Sequence, residues 1–101
     1  NIGSMGGYQG SLKFTGLSAY SASKAALASL TECLAEEWKH EGILVNCLAL
    51  GAVQTEMFGK AFPQQQAQVS PRSIATFIAQ FAQTGHHLFN GKVIPVSLST
   101  P

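Results

Sequence analysis

Three short apolar segments, separated by two segments of helical pattern, restrict the fold of this chain more than any other feature. The first and the last, residues 1–4 and 92–97, have the pattern of strands. The middle one, residues 43–50, is rich in β-branched and aliphatic side chains, as expected of a strand buried on both faces. Pro95 favours a sheet edge, where a missing N–H costs little. Strands alternating with helices predict an α/β fold with a parallel sheet and right-handed crossovers.

The two helical segments have clear starts and stops. The first is predicted to run from about residue 18 to residue 40, and Gly42 supplies its stop. The second is predicted over residues 71–85, because Ser70 is a good N-cap and Pro71 suits the first helical position. The apolar stripe of the first helix consists of Leu27, Leu30, Leu34 and Trp38.

Tyr20 and Lys24 form a Tyr-x-x-x-Lys pair in the first turns of the first predicted helix. Residues four apart lie on one helical face, about 5–6 Å apart at Cβ. A free phenol has a pKa of ~10, too high for proton transfer at neutral pH, and a neighbouring cation favours the phenolate. The pair therefore indicates general acid–base chemistry. The spacing alone also permits an ordinary tyrosine beside an exposed lysine.

Four short motifs occur in one order: Asn1-Ile2-Gly3-Ser4, Tyr20-Ser21-Ala22-Ser23-Lys24, Val45-Asn46-Cys47-Leu48 and Gly51-Ala52-Val53-Gln54-Thr55-Glu56-Met57. Together they resemble the C-terminal half of the short-chain dehydrogenase/reductase (SDR) family, over residues 1–96. The resemblance implies a partial Rossmann-like, doubly wound parallel sheet. It also implies an NAD(P)-dependent oxidoreductase that interconverts an alcohol and a carbonyl by hydride transfer. Residues 1–101 are then expected to be the C-terminal catalytic part of one NAD(P)-binding domain.

The N-terminal, cofactor-binding half of such a domain is expected to be absent from this sequence. The glycine-rich strand–turn–helix that holds a dinucleotide pyrophosphate is not found, since the early glycines are followed by a loop. In the resembled family, the residue that distinguishes NAD from NADP belongs to that half. The cofactor prediction is therefore NAD or NADP, and we expect the isolated chain to bind neither measurably.

The resemblance assigns three catalytic residues. Tyr20 would donate or accept the proton, and Lys24 would assist it and bind the ribose of the nicotinamide. Ser4 would bind and polarise the substrate oxygen, because it ends the motif that matches the family's strand end. The stretch from Ser4 to Tyr20 is a few residues longer than is usual in the family, which leaves Ser11 as a rival.

The same resemblance implies a set of cofactor-binding residues beyond the catalytic pair. A glycine after the second strand lets a backbone approach a ligand closely, and the residues that follow would bind the carboxamide or the pyrophosphate. Leu50 is a departure, because the family often has a proline before that glycine. The predicted cofactor-binding residues are Tyr20, Lys24, Gly51, Val53 and Thr55.

The charge composition argues against two classes of binding partner. The net charge is +1 and no basic run occurs, so nucleic acid and anionic membranes are not expected as partners. No apolar run approaches the length of a membrane span. The expected partner is a small-molecule alcohol or carbonyl substrate, and no metal site is predicted. His86 and His87 are expected to face solvent, since no other ligand residues accompany them.

The apolar content predicts assembly. Apolar residues make up 46% of the chain and charged residues only 11%, more apolar surface than a short chain can bury. We therefore expect a homo-oligomer, dimer or tetramer, in which the helix over residues 18–40 packs on its counterpart; in the resembled family the equivalent helix joins such a bundle. Cys33 and Cys47 are expected to be buried free thiols, and the protein to be cytoplasmic.

Residues 51–69 show no clear periodicity, and residues 57–69 include a glutamine-rich run. Their position after the predicted cofactor-binding turn favours a mobile substrate lid. Two other functions stay open at this point. One is an isomerase or lyase that keeps the same fold, and the other is a non-enzymatic fragment or helix-mediated interaction module.

Overall fold

The structure, a computed structural model, describes residues 1–99. Within this range, three strands and three α-helices follow one another in chain order. They are β1 (Ile2–Ser4), α1 (Ser18–Trp38), β2 (Cys47–Leu50), α2 (Glu56–Ala61), α3 (Pro71–Thr84) and β3 (Val93–Val96). Short 3₁₀ turns occur at Met5–Gly7, Lys39–Glu41 and Gly85–His87.

The chain forms two compact units. Among the described residues, the sheet unit comprises Asn1–Gly51 and residues 89–99, and the helical unit comprises Ala52–Leu88. The sheet unit contains the three strands and α1, and the helical unit contains α2 and α3.

The sheet has the order β1-β2-β3, and both pairings are parallel. Ser4 is paired with Leu50, and Leu50 is paired with Val96, so the carboxyl ends of the strands lie side by side. The predicted α/β fold with a parallel sheet is confirmed. Pro95 lies exposed on β3, which is an outer strand of the described sheet, as its missing N–H requires.

β2 begins four residues later than predicted, at Cys47. The preceding residues are held by side-chain amides instead of a strand ladder. Asn90 Oδ1 accepts a hydrogen bond from the Val45 N–H at 3.0 Å. The Asn46 side chain bonds two backbone groups of the segment that leads into β3, at 3.0 and 3.1 Å. These hydrogen bonds hold the residues before Cys47 without strand pairing. The apolar pattern therefore overestimated the length of β2.

Helix α1 has the predicted extent, but its most buried line is displaced from the predicted stripe, of which Leu27 and Leu34 are half-buried. It is followed by a 3₁₀ turn and by Gly42, whose φ of +75° gives the left-handed stop that glycine favours. Thr31 and Ala35 are its buried residues, whereas Leu30 and Trp38 of the predicted stripe are exposed. The side chains of Thr31 and Ala35 are small, and they therefore allow α1 to pack close to the sheet.

The buried Thr31 hydroxyl is fully hydrogen-bonded. It donates to the Leu27 carbonyl at 2.9 Å and accepts from Asn1 Nδ2 at 2.9 Å. The hydroxyl of this fully buried residue is therefore satisfied by its own helix and by Asn1, the residue before β1.

The two cysteines differ in burial. Cys47 lies buried in β2, as predicted, but Cys33 is exposed on α1, so the prediction that both thiols are buried was wrong for Cys33. The reason is again the face that α1 presents to the sheet, because Cys33 lies away from the line of Thr31 and Ala35.

The helical unit contains one helix that the sequence analysis did not predict. α2 begins after Thr55, whose Oγ1 accepts a hydrogen bond from the Phe58 N–H at 3.1 Å. α3 begins as predicted, with Ser70 Oγ accepting from the Ser73 N–H at 3.1 Å and Pro71 at its first position. Local capping chemistry explains both starts.

Candidate active site

Ser4 ends β1 at the carboxyl edge of the sheet and is half-buried. Its Oγ caps the 3₁₀ turn that follows, accepting a hydrogen bond from the Gly6 N–H at 3.0 Å. Because this bond uses an oxygen lone pair, the hydroxyl proton of Ser4 is left to donate to another group.

Ser4 and Tyr20 meet at Gly6. A Cβ built on Gly6 would lie 3.3 Å from Ser4 Oγ and 3.3 Å from Tyr20 Cε1. Both side chains therefore border the same small space above the 3₁₀ turn. The structure brings together two residues that the sequence places in separate elements.

Tyr20 and Lys24 lie in the first turns of α1, as the sequence predicted. Lys24 Nζ is 5.9 Å from the centroid of the Tyr20 ring, within range of a cation–π interaction. The ammonium also donates to the Ile2 carbonyl at 3.4 Å, which holds it beside β1. The Tyr20 side chain is 36% exposed, and within residues 1–99 its hydroxyl has no hydrogen-bond partner. The phenol is therefore accessible to a ligand.

Gly7 is a packing position beside the candidate site that the sequence analysis did not single out. A Cβ on Gly7 would lie only 2.6 Å from the Ala25 nitrogen and from the Lys24 carbonyl carbon. A shift of these backbone atoms would move the whole start of α1, so only glycine allows α1 to approach the end of β1 this closely. The signal in the sequence was the pair Gly6-Gly7 directly after Ser4.

Ser11, the rival to Ser4, is engaged within its own loop. Its Oγ makes hydrogen bonds with the Met5 carbonyl and, at 2.9 Å, with the Tyr8 carbonyl. Lys13 Nζ donates to Ser11 Oγ and also to the Ser11 carbonyl at 2.9 Å. With its proton directed at carbonyl groups and its oxygen contacted by an ammonium, Ser11 stabilises the loop.

Gly51 follows β2 at the same sheet edge as Ser4. Its N–H donates to the Val96 carbonyl at 2.8 Å. A Cβ at this position would lie 2.7 Å from Ser97 Cβ and 3.2 Å from Ser97 Cα. The fold thus requires glycine here because Ser97 packs against it. The prediction that this glycine binds cofactor stays a prediction.

Val53 and Thr55 lie in the helical unit and are half-buried. The Thr55 N–H donates to the Val53 carbonyl at 2.7 Å, which makes a tight turn before α2. Since Thr55 Oγ1 accepts the capping bond from the Phe58 N–H, its hydroxyl proton is left to donate.

An open depression lies in the sheet unit, between the loop after Ser4 and the end of β3. Its volume is about 420 Å³. The lining residues are Met5, Tyr8, Gln9, Gly10, Ser11, Pro95, Ser97 and Ser99.

His86 and His87 follow α3 and are exposed, as predicted, with ring centroids 4.1 Å apart. Among residues 1–99 no group of three or more His, Cys, Asp or Glu side chains is placed to hold a metal ion. Within the same residues no helix is both long and apolar enough to cross a membrane.

Comparison with known proteins identifies the family. The family model described as short chain dehydrogenase matches residues 1–66, a span that contains Ser4, Tyr20 and Lys24. This chain belongs to the short-chain dehydrogenase family. The fold prediction and the family prediction are thereby confirmed, and the parallel sheet belongs to a Rossmann-like SDR fold.

Proteins similar to this SDR chain include a plant protein and two proteins of solved structure. An "NADPH-dependent aldehyde reductase-like protein, chloroplastic" from Arabidopsis thaliana is 37% identical over 81% of the chain. The solved structure of 3-hydroxyacyl-CoA dehydrogenase type-2 from Mycobacterium avium superposes with a TM-score of 0.75 and 27% identity over 99% of the chain. A 4-hydroxyisoleucine dehydrogenase complexed with NADH superposes with a TM-score of 0.71 and 26% identity over 96% of it.

The SDR chain is shorter than these relatives. It spans 34% of the Arabidopsis protein, and 41% and 43% of the two solved chains. The similarity therefore concerns the part of the fold that carries Ser4, Tyr20 and Lys24.

Proposed function

We propose that the protein carrying this chain is an NAD(P)-dependent oxidoreductase that interconverts an alcohol and a carbonyl, with Tyr20 as general acid and base. The observation that supports it is the convergence of Ser4 and Tyr20 on the space beside Gly6, with the Lys24 ammonium 5.9 Å from the phenol ring. These groups supply a proton donor, a second hydroxyl donor and a positive charge in one place.

In the reductive direction, Tyr20 gives its hydroxyl proton to the substrate oxygen as negative charge develops there. The Lys24 ammonium stabilises the phenolate that Tyr20 then carries, because opposite charges attract. Ser4 donates its free hydroxyl proton to the same substrate oxygen and holds it within reach of Tyr20. In the oxidative direction the phenolate accepts the proton of the alcohol.

The donor groups fit a nicotinamide cofactor. The Lys24 ammonium has three protons and makes one long hydrogen bond of 3.4 Å within residues 1–99, so it can donate to ribose hydroxyls. The free hydroxyl proton of Thr55 and the backbone at Val53 are suited to the carboxamide. Tyr20 and Gly51 complete the proposed cofactor-binding set. When bound, the nicotinamide supplies or accepts the hydride.

We propose NAD or NADP as the cofactor without choosing between them. The Arabidopsis relative is named as NADPH-dependent, and the 4-hydroxyisoleucine dehydrogenase was solved with NADH, so proteins similar to this chain include both types. The open depression beside the loop after Ser4 is the proposed binding site for part of a small-molecule substrate.

We also propose a homo-oligomer, dimer or tetramer, located in the cytoplasm. The exposed apolar side chains of α1, Leu30 and Trp38, support the first proposal. The two free thiols, Cys33 and Cys47, support a reducing compartment.

The test uses the full-length protein that contains this chain. Turnover of a panel of small alcohols and carbonyls is followed by the absorbance of the reduced nicotinamide, with each of NAD(H) and NADP(H). Coenzyme-dependent turnover of at least one pair is the expected result. Conversion of a substrate without net coenzyme change would indicate an isomerase or lyase, and no binding of either coenzyme by calorimetry would indicate a non-enzymatic protein.

A further inference from the structure

The loop after Ser4 is held together by two of its own side chains, those of Ser11 and Lys13 (the clasp). The Lys13 ammonium donates to the Tyr8 carbonyl and to the Ser11 carbonyl, both at 2.9 Å, and also to Ser11 Oγ. Since an ammonium has three protons, these bonds use its full donor capacity. Lys13 is exposed at the surface, yet its charge is committed to acceptors of its own loop.

Ser11 connects the clasp to the candidate active site. Its hydroxyl bonds the carbonyl of Met5, the residue directly after Ser4, and the carbonyl of Tyr8 at 2.9 Å. The Tyr8 carbonyl also accepts from the Ser11 N–H at 3.1 Å. The clasp therefore closes residues 5–13 on themselves beside the end of β1.

The clasped loop forms one side of the open depression. The loop residues that line it are Met5, Tyr8, Gln9, Gly10 and Ser11. Ser4 is held independently of the clasp, because it is paired with Leu50 in the sheet and its Oγ accepts from the Gly6 N–H. The clasp thus fixes the side of the depression and leaves the position of Ser4 to β1.

We propose that Lys13 is a positioning residue that holds residues 5–13 in place as one side of the substrate-binding depression and thereby sets the affinity for substrate. The inference rests on the proposed function, since that proposal assigns the depression to the substrate. Lys13 touches neither substrate nor cofactor. It acts through the Tyr8 and Ser11 carbonyls and through the Ser11 hydroxyl.

The expected effect of losing the ammonium is a rise in KM with little change in kcat. When only a fraction of molecules has the loop in its binding-competent position, the apparent dissociation constant is the intrinsic one divided by that fraction. Loss of these hydrogen bonds, with which water competes, is expected to raise the ratio of open to closed loops by about three- to tenfold. Bound substrate favours the closed loop, and β1 holds Ser4, so kcat should change by less than about twofold.

Two substitutions at Lys13 separate the hydrogen bonds from the bulk of the side chain. Lys13→Met keeps an apolar stem and removes the ammonium. Lys13→Arg keeps the positive charge and several N–H donors. Lys92→Met is the matched control, because Lys92 is exposed and its ammonium has no partner within residues 1–99.

Two measurements are made on the full-length variants. Hydrogen exchange over residues 5–13, followed by mass spectrometry, reports on the loop itself, because the Tyr8 and Ser11 N–H groups are hydrogen-bonded within it at 3.1 Å. Steady-state kinetics, with a substrate found in the panel of alcohols and carbonyls, give KM and kcat. Lys13→Met should speed exchange by about three- to tenfold and raise KM by about two- to tenfold, whereas Lys13→Arg and Lys92→Met should stay within about twofold of wild type.

A double-mutant cycle with Ser11→Ala tests whether the two side chains act together. Because Lys13 donates to Ser11 Oγ, the loss of one should weaken the effect of losing the other. Lys13→Met should therefore raise KM less in the Ser11→Ala variant than in the wild type. Strictly additive effects would show that the two side chains act independently, and would overturn the clasp as a unit.

The remaining outcomes separate the clasp from the proposed function. Unchanged exchange in Lys13→Met overturns the clasp. Faster exchange with unchanged KM, or a loss confined to kcat, overturns its role in substrate affinity. Equal effects of Lys13→Met and Lys13→Arg overturn the proposal, because arginine retains charged donors. A wild-type protein without coenzyme-dependent turnover overturns the proposed function and the substrate role of Lys13 with it, while hydrogen exchange still decides whether Lys13 holds the loop.

Discussion

Gly7 lies against the backbone of α1 at Lys24, where an added Cβ would be 2.6 Å from the Lys24 carbonyl carbon. The φ of Gly7 is not positive, so the fold uses its lack of a side chain and not its conformational freedom. This contact sets how closely Lys24 approaches the end of β1, and so how closely the ammonium and the phenol of Tyr20 approach Ser4.

Gly7→Ala is therefore expected to destabilise the protein by about 1–3 kcal/mol, because overpacking against backbone atoms forces α1 away from the turn. Activity should fall as well, since Ser4 and Tyr20 would separate. Gly59→Ala is the control: nothing lies within 4 Å of a Cβ at Gly59, and alanine in a helix is favoured over glycine by roughly 0.5–1 kcal/mol. Urea denaturation of both variants measures the difference. Equal stability of the two variants would contradict the close approach at Gly7.

Tyr20→Phe is expected to lower kcat by about 10²–10⁴-fold in the full-length protein, because it removes only the hydroxyl that transfers the proton. The ring stays, so the melting temperature and the contact with Gly6 should be preserved. Tyr8→Phe makes the same chemical change on the wall of the depression and should have a far smaller effect on kcat. A Tyr20→Phe variant with near wild-type turnover would exclude Tyr20 as the proton donor.

Ser4→Ala is expected to reduce kcat by about 10²-fold or more, as the loss of one donor to a developing negative charge typically does. Ser11→Ala should cost less than about tenfold, because Ser11 bonds only its own loop, through the carbonyls of Met5 and Tyr8. Steady-state kinetics of the two variants under the same conditions provide the comparison. The reverse order of effects would transfer the catalytic role to Ser11.

The sequence predicted the elements well where the signals are local. Ser70 and Pro71 marked the start of α3, and Gly42 marked the end of α1, because capping chemistry depends on neighbours in the chain. α2 could have been found in the same way. Thr55 is a good N-cap, and Glu56 and Lys60 form an i,i+4 pair at 3.3 Å.

The features that were missed depend on distant parts of the chain. The start of β2 is decided by the Asn90 side chain, 45 positions from Val45, which no local pattern reveals. The buried face of α1 is decided by what fits beneath it, and Thr31 carries a hydroxyl that a hydrophobic pattern excludes. Gly7 owes its role to α1, which approaches it only in the folded protein.

Lys24→Met is expected to weaken coenzyme binding by about 10- to 100-fold, because hydrogen bonds from a charged donor contribute about 1.5–3 kcal/mol. The apolar stem is kept, so packing along α1 should change little. Lys92→Met is the control, since Lys92 is exposed and its ammonium has no partner within residues 1–99. Calorimetric titration of the full-length variants with NADH and NADPH gives the dissociation constants. An unchanged constant for Lys24→Met would remove the proposed ribose contact.

Leu30→Glu is expected to shift the full-length protein from an oligomer to a monomer at micromolar concentration. Leu30 is 49% exposed on α1, near exposed alanines of the same helix, and a buried carboxylate at a helix–helix interface is strongly unfavourable. Leu12→Glu is the control, because Leu12 is 71% exposed but lies in the loop before α1. It tests whether a charge at any exposed leucine dissociates the oligomer. Light scattering after size exclusion measures the mass of each variant. A wild-type protein that is already monomeric would disprove the proposed assembly, and dissociation by Leu12→Glu alone would place the interface away from α1.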